Sequence, residues 1–121
     1  MRQSLRWIPA LLLTLPLAAW GGQREAELAL ARASSSVAAA QRAGADEFAR
    51  DPLATSHAAL AQAERACLAR AWLDCEHAAE RAQADARLAE ARTRQLRAEA
   101  NTERLATALN ALRDELSFRG G

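Results

Sequence analysis

"WLDCEHAAERAQADARLAEARTRQLRAEANTERLATALNALRDEL", residues 72–116, contains no glycine and no proline, and the next helix-breaking residue is Gly120. Ala, Leu, Arg, Glu and Gln dominate it, and these are the better helix formers. Cys75, Ala79, Ala82, Ala86 and Ala89 recur at steps of four and three, which puts them on one face of a helix. A second stripe reads Ala84, Leu88 and Ala91, and later Leu105, Leu109, Leu112 and Leu116. Unbroken to Leu116, this helix is about 65 Å long at 1.5 Å per residue. Nothing else in the chain is long enough to cover it.

Upstream the same spacing recurs in two shorter runs. Leu53, Ser56, Leu60, Ala63 and Cys67 form the seam of a second helix, and Arg50-Asp51-Pro52 reads as its start. There Asp51 is expected as the N-cap and Pro52 as the first helical residue. Over residues 23–42, Ala26, Leu30, Ala33, Val37 and Ala40 make the seam of a first helix, with Gly44 at its stop. The triplet Ser34-Ser35-Ser36 weakens that helix without ending it. The expected fold is all-α, an antiparallel three-helix bundle whose long third helix is partly unpaired and coiled-coil-like. Its Leu-rich end carries an apolar stripe with no partner in its own chain.

A length of 121 residues allows one small domain, and alanine supplies more than a quarter of it. Alanine seams let helix axes approach closely, but each alanine buries far less than the 1.5–3 kcal/mol of a leucine. The bundle should be thin and only marginally stable, with little interior for a deep pocket. The expectation is therefore a protein that is not an enzyme and uses no cofactor.

The N-terminus points to export. Arg2 and Arg6 precede an apolar stretch over residues 7–18 that is interrupted by Pro9 and Pro16 and followed by small residues, as in a secretory signal peptide. Cleavage is expected after Gly21 or Ala19; an uncleaved anchor is the alternative and, in the leading reading, the only route to the membrane. Leu17-Ala18-Ala19 suits a lipoprotein peptidase, but Trp20 stands where the lipid-bearing cysteine belongs and has no thiol to acylate. Without residues 1–21 the chain loses two of its 16 basic residues and none of its 15 acidic ones, which leaves it nearly neutral. That gives no drive toward nucleic acid or anionic lipid. The chain thus divides into a signal peptide (1–21), an Ala-rich helical bundle (22–97), and an extension of the long helix with a short tail (98–121).

Three segments carry a family resemblance. Ala82-Gln83-Ala84-Asp85-Ala86-Arg87-Leu88-Ala89-Glu90-Ala91 is similar to the Ala-x-x-Asp-Ala-Arg-Leu-Ala-x-Ala run of the bacterial domain of unknown function DUF4398. "AQRAGADEFA", residues 40–49, resembles that family's Ala-Gly-Ala-x-x-Tyr-Ala segment with Phe48 in place of Tyr, and Leu53, Leu60 and Ala63 keep its second-helix spacing. The resemblance covers residues 25–94. The family's proline after Tyr-Ala is Arg50 here, and its Gly-Asp-Tyr turn reads Arg70-Ala71-Trp72, so the second turn lacks its glycine. The resemblance implies an exported helical domain, often lipid-anchored and sometimes preceding an OmpA-like peptidoglycan-binding domain. It brings no catalytic residues.

Residues with chemistry of their own are few. Cys67, Cys75, His57 and His77, with Glu76 or Glu80, are the candidates for a metal site, yet Cys-x7-Cys-x-His fits no standard zinc spacing. No metal site is expected. In an oxidising compartment the two cysteines are instead a candidate disulfide. If the chain turns near residues 70–72, both seam positions face each other in the first layer of the hairpin. If the helices are continuous, about 12 Å separates them and no bridge forms. Trp72 reads as a lid over the bundle end or a partner anchor. Leu105, Leu109, Leu112 and Leu116 are the candidate partner-binding residues, for self-association or for another envelope protein. The leading expectation is a non-enzymatic exported helical protein of the bacterial envelope, periplasmic or otherwise exported, acting as spacer or protein-binding module. The alternatives are a periplasmic metal or stress sensor using the Cys/His group and a membrane-surface amphipathic helix, which lacks the basic excess such helices use.

Overall fold

A computed structural model describes residues 17–120, and over them the chain is all-α, with no strand. The helices are α1 (Leu17–Ala43), α2 (Ala45–Phe48), α3 (Arg50–Leu68) and α4 (Trp72–Gly120). Most of the expected signal peptide, residues 1–16, lies outside the described residues. No described helix is long and apolar enough to cross a membrane.

α1, α3 and α4 form an up-down-up bundle in which sequential long helices are antiparallel and α1 runs parallel to α4. At one end Gly22 lies beside Trp72; at the other Gly44 lies beside Thr93 and Arg97. Between them α3 returns, placing Leu53 with Ala86 and Ala89, and Ala63 with Ala78, Ala79 and Ala82. α4 is the spine: α1 and α3 each pack chiefly on it and far less on one another.

The seams anticipated from spacing are the buried ones. Ala26, Ala33, Val37 and Ala40 of α1 are buried, as are Leu53, Ser56 and Ala63 of α3 and Cys75, Ala79, Ala82, Ala86 and Ala89 of α4. Leu30 and Leu60 are only half-buried and pack against the edge of the buried clusters, whereas Leu53 lies inside one. The largest fully buried side chains are Thr93, Cys75 and Ser56. Each buried hydroxyl bonds within its own helix: Ser56 donates to the Leu53 carbonyl at 2.6 Å, and Thr93 to the Ala89 carbonyl at 2.7 Å. These residues therefore fill alanine-sized slots without an unsatisfied polar group.

The first connection departs from expectation. A single helical turn, α2, follows Gly44, and α3 starts at Arg50 with Ala49 (φ −140°, ψ 51°) as its N-cap. Asp51 is therefore not the cap. The chain pivots at Ala49, a buried alanine that no side chain caps, and Asp51 sits in the first turn where the helix dipole favours an acid. Pro52 falls in the same turn, among the N–H positions that have no intrahelical acceptor. Gly44 does end α1, at φ 101°, with its N–H donating to the Gln41 carbonyl at 3.0 Å.

The second connection forms without its glycine. Arg70 takes the left-handed conformation (φ 60°), its N–H donates to Cys67 at 3.0 Å, and the Ala71 N–H donates to Ala66 at 2.9 Å. That pair of bonds is a Schellman cap, which usually places glycine where Arg70 stands.

Candidate interaction surface

α4 is 49 residues long, about 73 Å at 1.5 Å per residue, and only its first half is sheathed. Its last buried residue is Thr93. The bundle closes just beyond, where the Arg97 guanidinium sits 5.6 Å over the Phe48 ring and beside Gly44. From residue 101 to residue 120 every position is exposed.

Two faces of this free half differ in character. The face that continues the buried seam carries Ala100, Glu103, Arg104, Thr107, Ala108 and Ala111 along a shallow open groove, and its charges prevent it from extending the alanine packing. The leucines lie elsewhere. At 100° per residue, Leu105, Leu109, Leu112 and Leu116 sit about 100–160° round the helix from Thr93. They are between 52% and 65% exposed, high values for aliphatic side chains that share one line.

Traced back toward the bundle, the leucine line does not stop. Heptad spacing carries it through Thr102, Ala98 and Gln95 to Ala91, Leu88 and Ala84, all exposed, with Leu88 at 44%. None of these ten positions, from Ala84 to Leu116, is charged, in a chain that is 26% charged. The rim beside it is charged: Asp85, Arg87, Arg92, Arg94, Glu99, Arg113 and Glu115. α4 thus presents one buried face to its own chain and one continuous uncharged face, on the opposite side, to solvent.

The opposite end holds the cysteines. Cys67 and Cys75 are bonded to each other, with Cα atoms 5.1 Å apart across the Arg70 turn. Cys75 Sγ also lies 3.9 Å from the Ala26 carbonyl oxygen. A bonded sulfur has no proton to donate, so this contact is packing, and it seats α1 against the staple. The bond removes both thiolates from any metal site. The histidines are not gathered either: His57 Nε2 sits 3.1 Å from Gln41 Nε2, while His77 lines an open trough with Gln62, Arg65, Asp74 and Arg81. No group of three His, Cys, Asp or Glu side chains suited to a metal occurs among the described residues. Trp72 is half-buried at this end, bordering a notch with Glu27, Leu30, Glu64 and Leu68.

Residues 25–113 match the family described as domain of unknown function (DUF4398). The chain belongs to this family. No curated protein and no solved structure matches it significantly. The DUF4398 match begins one residue before the buried Ala26 of α1 and ends at Arg113, well past the end of the bundle. It therefore takes in Leu105, Leu109 and Leu112, so most of the free half of α4 belongs to the family's domain.

Sequence reasoning missed α2, the Arg97–Phe48 closure and the link through Gln95, Ala98 and Thr102. Only the last left a signal, three uncharged residues in heptad register between two apolar runs.

Proposed function

We propose that this DUF4398 chain is a non-enzymatic, exported helical protein of the bacterial cell envelope that acts as a spacer or protein-binding module. The observation that carries the reading is the free half of α4, a helix about 34 Å long projecting beyond its own bundle with an exposed leucine line. Exposed leucines on a rigid rod bind another helix; a rod without them would only hold its ends apart. The alanine interior supports a role outside catalysis, because its largest wholly buried side chains, Thr93, Cys75 and Ser56, are all engaged in local bonds. Export is supported by the charged and apolar pattern of residues 1–21 and by the paired cysteines.

Fractionation of bacteria expressing the full chain tests the location. The mature protein is expected outside the cytoplasm, beginning at Gly22 or Trp20 by mass spectrometry. Trp20→Cys is expected to complete the lipobox and bring palmitate incorporation. Cytoplasmic protein retaining Met1 overturns the export reading, and an unlabelled Trp20→Cys variant overturns the reading of the motif.

A further inference from the structure

We propose that the uncharged back face of α4 pairs with a second copy of itself in an antiparallel, two-fold dimer centred near Ala100. This rests on the binding role just given to the leucine line and names its partner. In the heptad register of the stripe, Leu88, Gln95, Thr102, Leu109 and Leu116 occupy a positions, and Ala84, Ala91, Ala98, Leu105 and Leu112 occupy d positions. An antiparallel seam sets each a against a d of the other helix.

Centred at residue 100, that rule matches large with small. Leu116 meets Ala84, Leu109 meets Ala91, and Thr102 meets Ala98, while Leu88 meets Leu112. Gln95 faces Leu105 and keeps its own bond to Glu99 at 3.1 Å. The lengths also agree. Residues 98–120 of one copy lie along residues 80–102 of the other, so each unsheathed half covers the exposed back of a sheathed half. α1 and α3 do not obstruct this, because Ala84, Leu88 and Ala91 are exposed.

Charge selects the direction. In the antiparallel register the rim sets Asp85 against Arg113 and Arg87 against Glu115, twice each by symmetry. Arg92 and Arg94 meet Ala106 and Ala108. One like pair, Glu99 with Glu99, falls on the two-fold axis. A parallel in-register pair instead sets Arg87 against Arg92 and Glu80 against Asp85, with Arg94–Glu99 as its one opposite pair. Rim charges of this kind set partner choice and orientation in helical pairs.

The test uses two charge-reversed variants of the full chain, Asp85→Arg/Arg87→Glu and Arg113→Glu/Glu115→Arg, with helicity checked by circular dichroism. Sedimentation is expected to find the parent dimeric, and each variant alone weakened about tenfold or more as four attractive pairs become repulsive. An equimolar mixture of the two variants recreates all four pairs and is expected to return to within about threefold of the parent. Residues 85 and 113 are about 42 Å apart along one helix, so a parallel pair cannot be rescued in this way. A monomeric parent overturns the dimer but leaves the leucine line to a foreign partner. A dimer indifferent to the charge changes, including one formed through residues 1–21, overturns the proposed seam. Variants that weaken but are not rescued on mixing overturn the antiparallel register.

Discussion

Reducing the Cys67–Cys75 bond should destabilise the bundle far more than the loss of any single alanine contact. The bridge spans a separation of 8 residues. Releasing a loop of that size returns conformational freedom to the unfolded chain worth about 2.5 kcal/mol in the loop-closure estimate. A domain of this size shifts by about 4–8 °C for each kcal/mol, so the midpoint should fall by about 10–20 °C. Cys67→Ala isolates the effect. Cys67 is only half-buried, so little packing is lost, and the remaining Cys75 thiol fits its buried slot and regains a proton to offer the Ala26 carbonyl. Thermal melts followed at 222 nm, with and without reductant, are the assay. The parent should fall on reduction to near the Cys67→Ala midpoint, and the variant should ignore reductant. A parent that melts identically in both conditions, or labels two free thiols after oxidation and denaturation, would refute the staple and with it the tight turn at Arg70.

Arg70→Gly should stabilise the fold. A left-handed non-glycine residue costs about 1–2 kcal/mol and glycine's extra unfolded freedom offsets about 0.5–1, so urea titration should show a net gain of roughly 0.5–1 kcal/mol. Gly44→Ala should destabilise by about 1–2 kcal/mol, because the new Cβ meets a positive φ and also displaces Arg97 from Phe48; a neutral result would refute the end closure. Leu53→Ala, in the core, should cost about 2–3 kcal/mol. Leu112→Gln, on the exposed stripe, should change dilute-protein stability by less than about 0.5 kcal/mol, and equal losses for the two would contradict the assignment of faces.

The bundle was legible where alanine forms most of a stripe. Ala26, Ala33, Ala40, Ala63, Ala82, Ala86 and Ala89, at steps of four and three with few large neighbours on their line, are all buried, whereas Ala84, Ala91 and Ala98 keep the same spacing on the exposed leucine line. Leu30 and Leu60 do pack on the seam but stay half-buried at its edge, a degree of burial that spacing alone does not set. The helix starts were less legible. Asp51-Pro52 has the chemistry of a cap, but the buried Ala45 and Ala49 draw the chain into an extra turn and shift the start of α3 by two residues. At Arg70 local preference pointed away from a turn, and tertiary packing of Cys75, Ala78 and Ala79 on α1 and α3 prevailed. The leucine line was readable as a pattern, and its offset from the seam follows from helix geometry, but where the cover of α4 stops became clear only with the end of α1 fixed.

That relative position explains why one helix carries two unlike apolar faces. A single face extended along all of α4 would be alanine at its near end and leucine at its far end, and α1 and α3 would have to follow it outward. Instead the seam face turns polar at Arg97, Glu103 and Arg104, just where Gly44 and Ala49 turn the chain back, and this fixes the lengths of α1 and α3. The leucines then lie on the far side, where neither α1 nor α3 can reach them. Leucine on a solvent-exposed helix contributes nothing to this bundle that alanine, a better helix former, would not supply. The contact outside the monomer proposed above gives Leu105, Leu109, Leu112 and Leu116 a physical reason, and the exposed, uncharged positions leading back to Ala84 offer that proposed contact the back of the bundle itself.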